Sequence, residues 1–200
     1  MNIKNILDGI DYNGNIKDIA INNISYDSRK INRGSLFVAI QGNNFNGHDY
    51  IDEAINKGAI AIITQNSLKN NYNTPTITVE NTRKALSKMS SNFYGNPSSK
   101  INVIGITGTN GKTTTTYLIN KIFNDCNVKT GSIGTLGFIS PSNFISTGFT
   151  TPESLELNNF IDKLVKGGVE NVVLEVSSHA LSLHRTDDII TDIAVFTNLS

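Results

Sequence analysis

An α/β fold built on parallel sheets is predicted by three features of this sequence. Short apolar runs are bounded by Gly, Asn or Pro, helical patterns alternate with them, and a Gly-rich turn joins one such run to a helix. In the first half, residues 36–40 (LFVAI) read as a strand, residues 50–57 as a short helix ended by Gly58, and residues 59–64 (AIAIIT) as the next strand. Together they make one β–α–β unit. A further strand is expected at 76–79. A helix is expected at 82–94, with Ala85, Leu86, Met89 and Phe93 on one side, stopped by Gly95, Asn96 and Pro97. The domain boundary is placed there, giving a small domain over 1–97 and a second over 98–200.

The second domain opens with residues 101–106 (INVIGI), a continuous apolar run suited to a strand buried on both faces. After a Gly-rich turn, residues 112–123 form a helical pattern expected to pack on the sheet through Tyr117, Leu118, Ile122 and Phe123. Residues 153–166 repeat Leu157, Phe160, Ile161, Leu164 and Val165 at helical spacing, with Gly167 and Gly168 as the stop. Strands at 172–176 and 193–196 complete the pattern. A doubly wound domain rarely finishes on a strand with its binding edge open, so the chain is expected to be a truncated form of a longer protein.

Composition narrows the function classes. Lys plus Arg and Asp plus Glu both number 17, which argues against the basic footprint of a nucleic-acid binder. The single cysteine, Cys126, forms no internal disulfide, and neither a leader-like segment nor a membrane-length apolar run is present. A monomeric protein of the reducing cytoplasm, with no membrane or nucleic-acid partner, is the expectation.

Residues 107–114 (TGTNGKTT) lie between a strand and a helix, the position of a phosphate-binding loop. Glycines let successive backbone N–H groups of Gly108, Thr109, Asn110 and Gly111 turn around phosphate oxygens, and the helix N-terminus adds its dipole. Lys112 would reach the terminal phosphates and Thr113 would offer a hydroxyl to magnesium, with Thr114 completing the ATP-binding set. The strict G-x-x-x-x-G-K-[ST] pattern is not met, because Ile106 stands where its first glycine belongs. Four consecutive threonines, Thr113 to Thr116, are poor helix formers, so their hydroxyls are better explained by a ligand than by helix initiation. Glu175 lies near the carboxyl end of the otherwise apolar strand 172–176, where a lone carboxylate is costly to bury; either a nucleotide-bound Mg2+ or a Lys or Arg should stand beside it.

The TGTNGKTT loop resembles that of the Mur ligases and the folylpolyglutamate synthetases. Residues 150–153 (TTPE), 175–181 (EVSSHAL), His184 with Arg185, and 196–200 (FTNLS) resemble the Mur ligase branch that extends UDP-N-acetylmuramoyl-L-alanyl-D-glutamate. Residues 26–29 (YDSR), 34–39 (GSLFVA), Gly42 and Gly47 are similar to that branch's uridine-binding domain and speak against the folate type. The resemblance implies a uridine-binding α/β domain followed by a partial P-loop ATPase domain. The whole protein would be an ATP-dependent carbon–nitrogen ligase of peptidoglycan synthesis, adding a diamino acid, lysine or meso-diaminopimelate, through an acyl phosphate. It assigns Tyr26, Ser28, Asn43, Asn44, Phe45, Thr150, Thr151, Ser177 and Arg185 to the UDP-linked substrate. ATP would be held by the loop, Mg2+ by Thr113 and Glu175, with Lys112 and Glu175 as the catalytic pair. Thr150 and Glu153 also stand at capping-box spacing, and Ser28 and Arg185 have ordinary readings as a turn residue and a surface cation. Where some members carry glutamine, Leu183 stands here. The family's metal-binding histidine, modified lysine and amino-acid-selecting domain would come after Ser200. The competing readings are a non-catalytic module binding nucleotide or precursor, and another branch of the same ligases, such as the one that adds a dipeptide.

Overall fold

The computed structural model describes residues 1–42, 45–65 and 72–199. The chain divides into two compact units, Met1–Phe93 and Tyr94–Ser200. This boundary falls before the Gly95-Asn96-Pro97 break rather than after it. The reason is that Pro97–Lys100 forms a 3-10 turn that packs on a helix of the second unit, so the breaker belongs to the second unit.

In the first unit, α1 (Ile3–Ile6) is capped by the Asn2 side chain, with β1 (Tyr12–Asn13) and β2 (Asn23–Ser25) after it. The predicted β–α–β unit consists of β3 (Ser35–Val38), α2 (Ile51–Asn56) and β4 (Ala59–Thr64), extended by β5 (Thr76–Val79) and α3 (Thr82–Phe93). The sheet runs β1-β5-β4-β3-β2, parallel except for β1. Ile31, Phe37, Ala39, Ile51, Ala54, Ala59 and Ile62 pack between sheet and α2. Short α1 and the two- and three-residue strands β1 and β2 carry too few apolar positions to signal themselves in sequence.

The second unit comprises β6 (Asn102–Thr107), α4 (Lys112–Asp125), β7 (Thr130–Gly134), β8 (Gly137–Ser140), β9 (Asn143–Ile145), α5 (Ser154–Lys166), β10 (Asn171–Glu175), α6 (Ser178–Ser182) and β11 (Ile193–Phe196). Its sheet runs β11-β6-β10-β7-β8-β9: the first four strands are parallel, and β8 and β9 fold back as an antiparallel meander. Alternation along the buried strands sorts their side chains by face. Val103, Val172 and Leu174 meet Leu157, Ile161 and Leu164 of α5, whereas Ile104, Ile106 and Val173 meet α4.

The structure corrects two expectations. On α4 the packing residues are Ile119 and Phe123, while Tyr117, Leu118 and Ile122 are each about half exposed. Ile119 and Phe123 are one helical turn apart, and the other three lie round the cylinder from them. The capping box at Thr150 is not formed either: Glu153 is the N-cap residue of α5 and makes no side-chain cap. Its carboxylate is engaged by Arg185 instead.

Candidate functional site

Strands β6 and β10 end side by side, Ile106 opposite Glu175, and the phosphate-loop sequence bridges β6 to α4. Gly108 and Gly111 both hold positive φ, 132° and 84°. At Gly108 a side chain is excluded twice, by the backbone angle and by the Thr197 hydroxyl against which a Cβ would collide. The loop is laced to the residues after β11. Thr109 N donates to Asn198 O at 3.0 Å, Asn110 N donates to Asn198 Oδ1 at 3.0 Å, and Thr197 Oγ1 donates to Asn110 O at 2.6 Å. The N–H groups of Thr109 and Asn110, expected to face phosphate, are therefore held by Asn198. Lys112 folds back, its Nζ donating to Gly108 O at 2.6 Å and Thr109 O at 3.1 Å. Thr114 is exposed at the first turn of α4, where helix geometry leaves N–H groups without intrahelical partners.

Glu175 is 1 % exposed. Oε2 accepts the hydroxyl of Thr113 at 2.9 Å and that of Thr135 at 3.1 Å, while Oε1 accepts the Thr135 backbone N–H at 3.1 Å. Of the two partners expected beside it, Mg2+ or a Lys or Arg, no Lys or Arg pairs with it among the described residues, and three neutral donors hold it instead. The carboxylate lies flat on the end of β7 because Gly134 has no Cβ, which would otherwise run into it.

This donor set fits magnesium. Hard oxygens are what the ion takes, and it commonly uses one or two protein ligands beside phosphate. A buried carboxylate whose side-chain partners among the described residues are neutral donors has charge to share.

The substrate-assigned residues of the second unit gather at the same strand ends. Thr150 Oγ1 lies 3.0 Å from Thr135 Oγ1. Thr151 is buried, its hydroxyl donating to Glu175 O at 2.8 Å and accepting Ser177 N at 3.0 Å. It therefore ties the α5 entry to the end of β10. Ser177 caps α6 through Ala180 N. Arg185 Nη1 donates to Thr151 O at 2.8 Å, and Nε stands 2.7 Å from Glu153 Oε1 as an ion pair without hydrogen-bond alignment. The guanidinium also lies 6.0 Å from the centre of the Phe149 ring. Arg185 is thus an anchored side chain, not a free surface cation. His184 pairs with Asp187 and His179 is exposed.

In the first unit, the buried Ser28 opens a 3-10 turn capped by Asp27, and its hydroxyl donates to Glu53 Oε2 at 3.0 Å. Hydrogen bonds from Lys57 and then Ser28 hold the Glu53 carboxyl below the usual carboxylate range. Tyr26 is half-buried and Phe45 is exposed. Asn43 and Asn44 lie outside the described residues. Thr135, Thr197 and Asn198 are the contacts that sequence reasoning missed; the only signal for Thr135 was the Gly134-Thr135 pair after an unrecognised strand.

Residues 106–200 match the Mur ligase middle domain, and residues 20–94 match the Mur ligase family catalytic domain. The chain belongs to the Mur ligase family. It is 44 % identical over 202 residues to the UDP-N-acetylmuramoyl-L-alanyl-D-glutamate–2,6-diaminopimelate ligase of Caldanaerobacter subterraneus subsp. tengcongensis, all of this chain aligning with 42 % of that protein. The ligase of the same name from Clostridioides difficile is 41 % identical, with the same coverage. A solved structure of a ligase of that name superposes on the whole chain with a TM-score of 0.83 at 26 % identity, covering 40 % of that structure. MurF ligase from Thermotoga maritima in complex with ADP superposes with a TM-score of 0.60 at 27 % identity, over 92 % of this chain and 39 % of that one. The chain thus spans about 42 % of the length of the curated relatives.

Proposed function

We propose that this Mur ligase chain is the precursor- and nucleotide-binding part of a cytoplasmic, monomeric ligase that adds diaminopimelate to UDP-N-acetylmuramoyl-L-alanyl-D-glutamate. The observation that carries the nucleotide half is the Thr113–Glu175 pair at the end of the phosphate loop, with Lys112 four residues from Gly108, whose carbonyl it bonds. The named activity of the relatives supports the choice of substrates.

On this reading, ATP lies along the loop with its phosphates at the α4 N-terminus, and Lys112 exchanges the Gly108 and Thr109 carbonyls for phosphate oxygens. Magnesium held by Thr113 and Glu175 would neutralise charge building on the transferred phosphoryl group. The precursor carboxylate attacks the γ-phosphorus, giving an acyl phosphate and ADP. The amine of the diamino acid then displaces phosphate, forming the amide and releasing a proton. The chain's own residues position and neutralise rather than react covalently. The anchored Arg185 offers a cation for the anionic precursor, and Thr150, its proton engaged by Thr135, offers acceptor lone pairs for a precursor N–H. In the first unit, Ser28, Tyr26 and Phe45, with Asn43 and Asn44, take the uridine end.

Calorimetric titration of the 200-residue chain with ADP, with and without magnesium, and with the UDP-linked dipeptide tests both halves. Binding of both ligands, with magnesium strengthening ADP alone, is the expected result; a folded chain that binds neither overturns the reading.

A further inference from the structure

Thr135 supplies two of the three donors that hold Glu175, and neither the phosphate loop nor the substrate-like motifs include it. We infer that Thr135 is a positioning residue of the phosphate site: its hydroxyl sets the Glu175 carboxylate for magnesium and couples it to Thr150. The inference rests on the function proposed above.

A carboxylate on a two-methylene stem can rotate at its end. Here both oxygens are pinned by one residue, Oε1 by the Thr135 N–H and Oε2 by its hydroxyl. The missing Cβ of Gly134 lets the group lie close enough to β7 for both bonds to form. The direction of the hydroxyl chain comes from counting protons. An ionised carboxylate only accepts, so the single Thr135 hydroxyl proton goes to Glu175, and Thr150, 3.0 Å away, must donate to Thr135. The chain therefore runs Thr150 to Thr135 to Glu175. It presents the Thr150 lone pairs outward and draws the Glu175 charge toward a fixed place. Groups that orient metal ligands typically change metal affinity by roughly 10- to 100-fold when removed.

The test is a magnesium titration of ADP binding by the full 200-residue chain, with Thr135→Val, which keeps the β-branch and the backbone N–H but lacks the hydroxyl, and with Thr135→Ser. ADP affinity in excess chelator should be unchanged in both variants. The magnesium concentration giving half of the metal-dependent gain should rise about 10-fold or more in Thr135→Val and return to the wild-type value in Thr135→Ser. A merely structural role would instead lower ADP affinity equally with and without metal, together with the unfolding temperature, and would overturn the inference. So would a magnesium requirement left unmoved by the valine. If Thr135→Val does not fold, Thr135→Ala is read by the same criteria. A wild-type chain whose ADP binding ignores magnesium overturns the proposed function itself and the Thr135 role with it; wild-type dependence that the valine retains overturns the Thr135 role alone.

Discussion

Lys112 is held by carbonyls that it must leave if phosphate is to bind. Its Nζ donates to Gly108 O and Thr109 O, so the cation lies within the loop. Hydrogen bonds to a charged group contribute about 1.5–3 kcal/mol, so Lys112→Ala should weaken ADP binding by roughly 10- to 150-fold. The unfolding temperature should barely move, because the side chain is only half-buried. Calorimetry with thermal unfolding checks both; destabilisation like that of a core truncation, about 2–5 kcal/mol, would make Lys112 a loop staple instead. His48 makes a second prediction. Its Nδ1 meets Asn46 Oδ1 at 2.8 Å and its Nε2 faces the Gln65 N–H at 3.4 Å. Burial lowers its pKa against a smaller opposing effect of Asp49. Between the lowered folded value and the ordinary value of about 6.5, the unfolded chain binds more protons. Stability is therefore complete above that range and falls as pH drops through it. Thermal unfolding from about pH 8 to about pH 5 should show this loss, and His48→Gln should remove part of it. The meeting of Thr113 with Glu175 was legible in the sequence, because each lies in a motif at the end of an apolar strand. Thr135 and Asn198 were not, because their role comes from strand ends that meet only in the fold.

Elements were legible where apolar residues carried the period. Strands β4, β5 and β11 and helix α3 stand within a residue of their expected places. By contrast β7, sequence TGSIG, is wholly buried yet contains one large apolar residue. Its glycines serve close approach, Gly131 to Leu164 and Gly134 to Glu175, so a hydrophobicity signal is absent for the same reason that the site exists. Helix α4 was placed correctly but turned wrongly, since Tyr117, Leu118 and Ile122 suggested an apolar face that the fold leaves outside. The observed orientation predicts a contrast between neighbours. Phe123→Ala, which removes a ring packed on Ile104, Ile106 and Val173, should cost roughly 2–4 kcal/mol, near the lower end for buried aromatics because the site is only partly buried. Ile122→Ala should cost no more than about 0.5 kcal/mol. Urea unfolding of the two variants compares them directly; equal losses would mean that the outer face of α4 is covered.

Each of the two units has its own sheet and its own core, and the substrate-assigned residues divide between them: Ser28, Tyr26 and Phe45 in the first, Thr150, Thr151, Ser177 and Arg185 in the second. The sequence places a joint after Pro97, where Gly95, Asn96 and Pro97 interrupt the helical pattern, whereas the compact units divide between Phe93 and Tyr94; a breaker does not say which side it packs on. Where each core is self-contained, ligand stabilisation should also be unit-specific. A ligand that binds only the folded form adds RT ln(1 + [L]/Kd), about 2.7 kcal/mol at 100 Kd. That gain appears as slower amide exchange in the unit whose opening would release the ligand. ADP with magnesium should therefore slow exchange in β6, β10 and the first turns of α4, leaving β3 and β4 near their free rates. The UDP-linked dipeptide should slow β3, β4 and the Ser28 turn. Hydrogen-exchange mass spectrometry on the intact chain reads both patterns in one experiment. Protection of β3 and β4 by ADP equal to that of β6 and β10 would show that the two units open together, and the assignment of one ligand end to each would lose its physical basis.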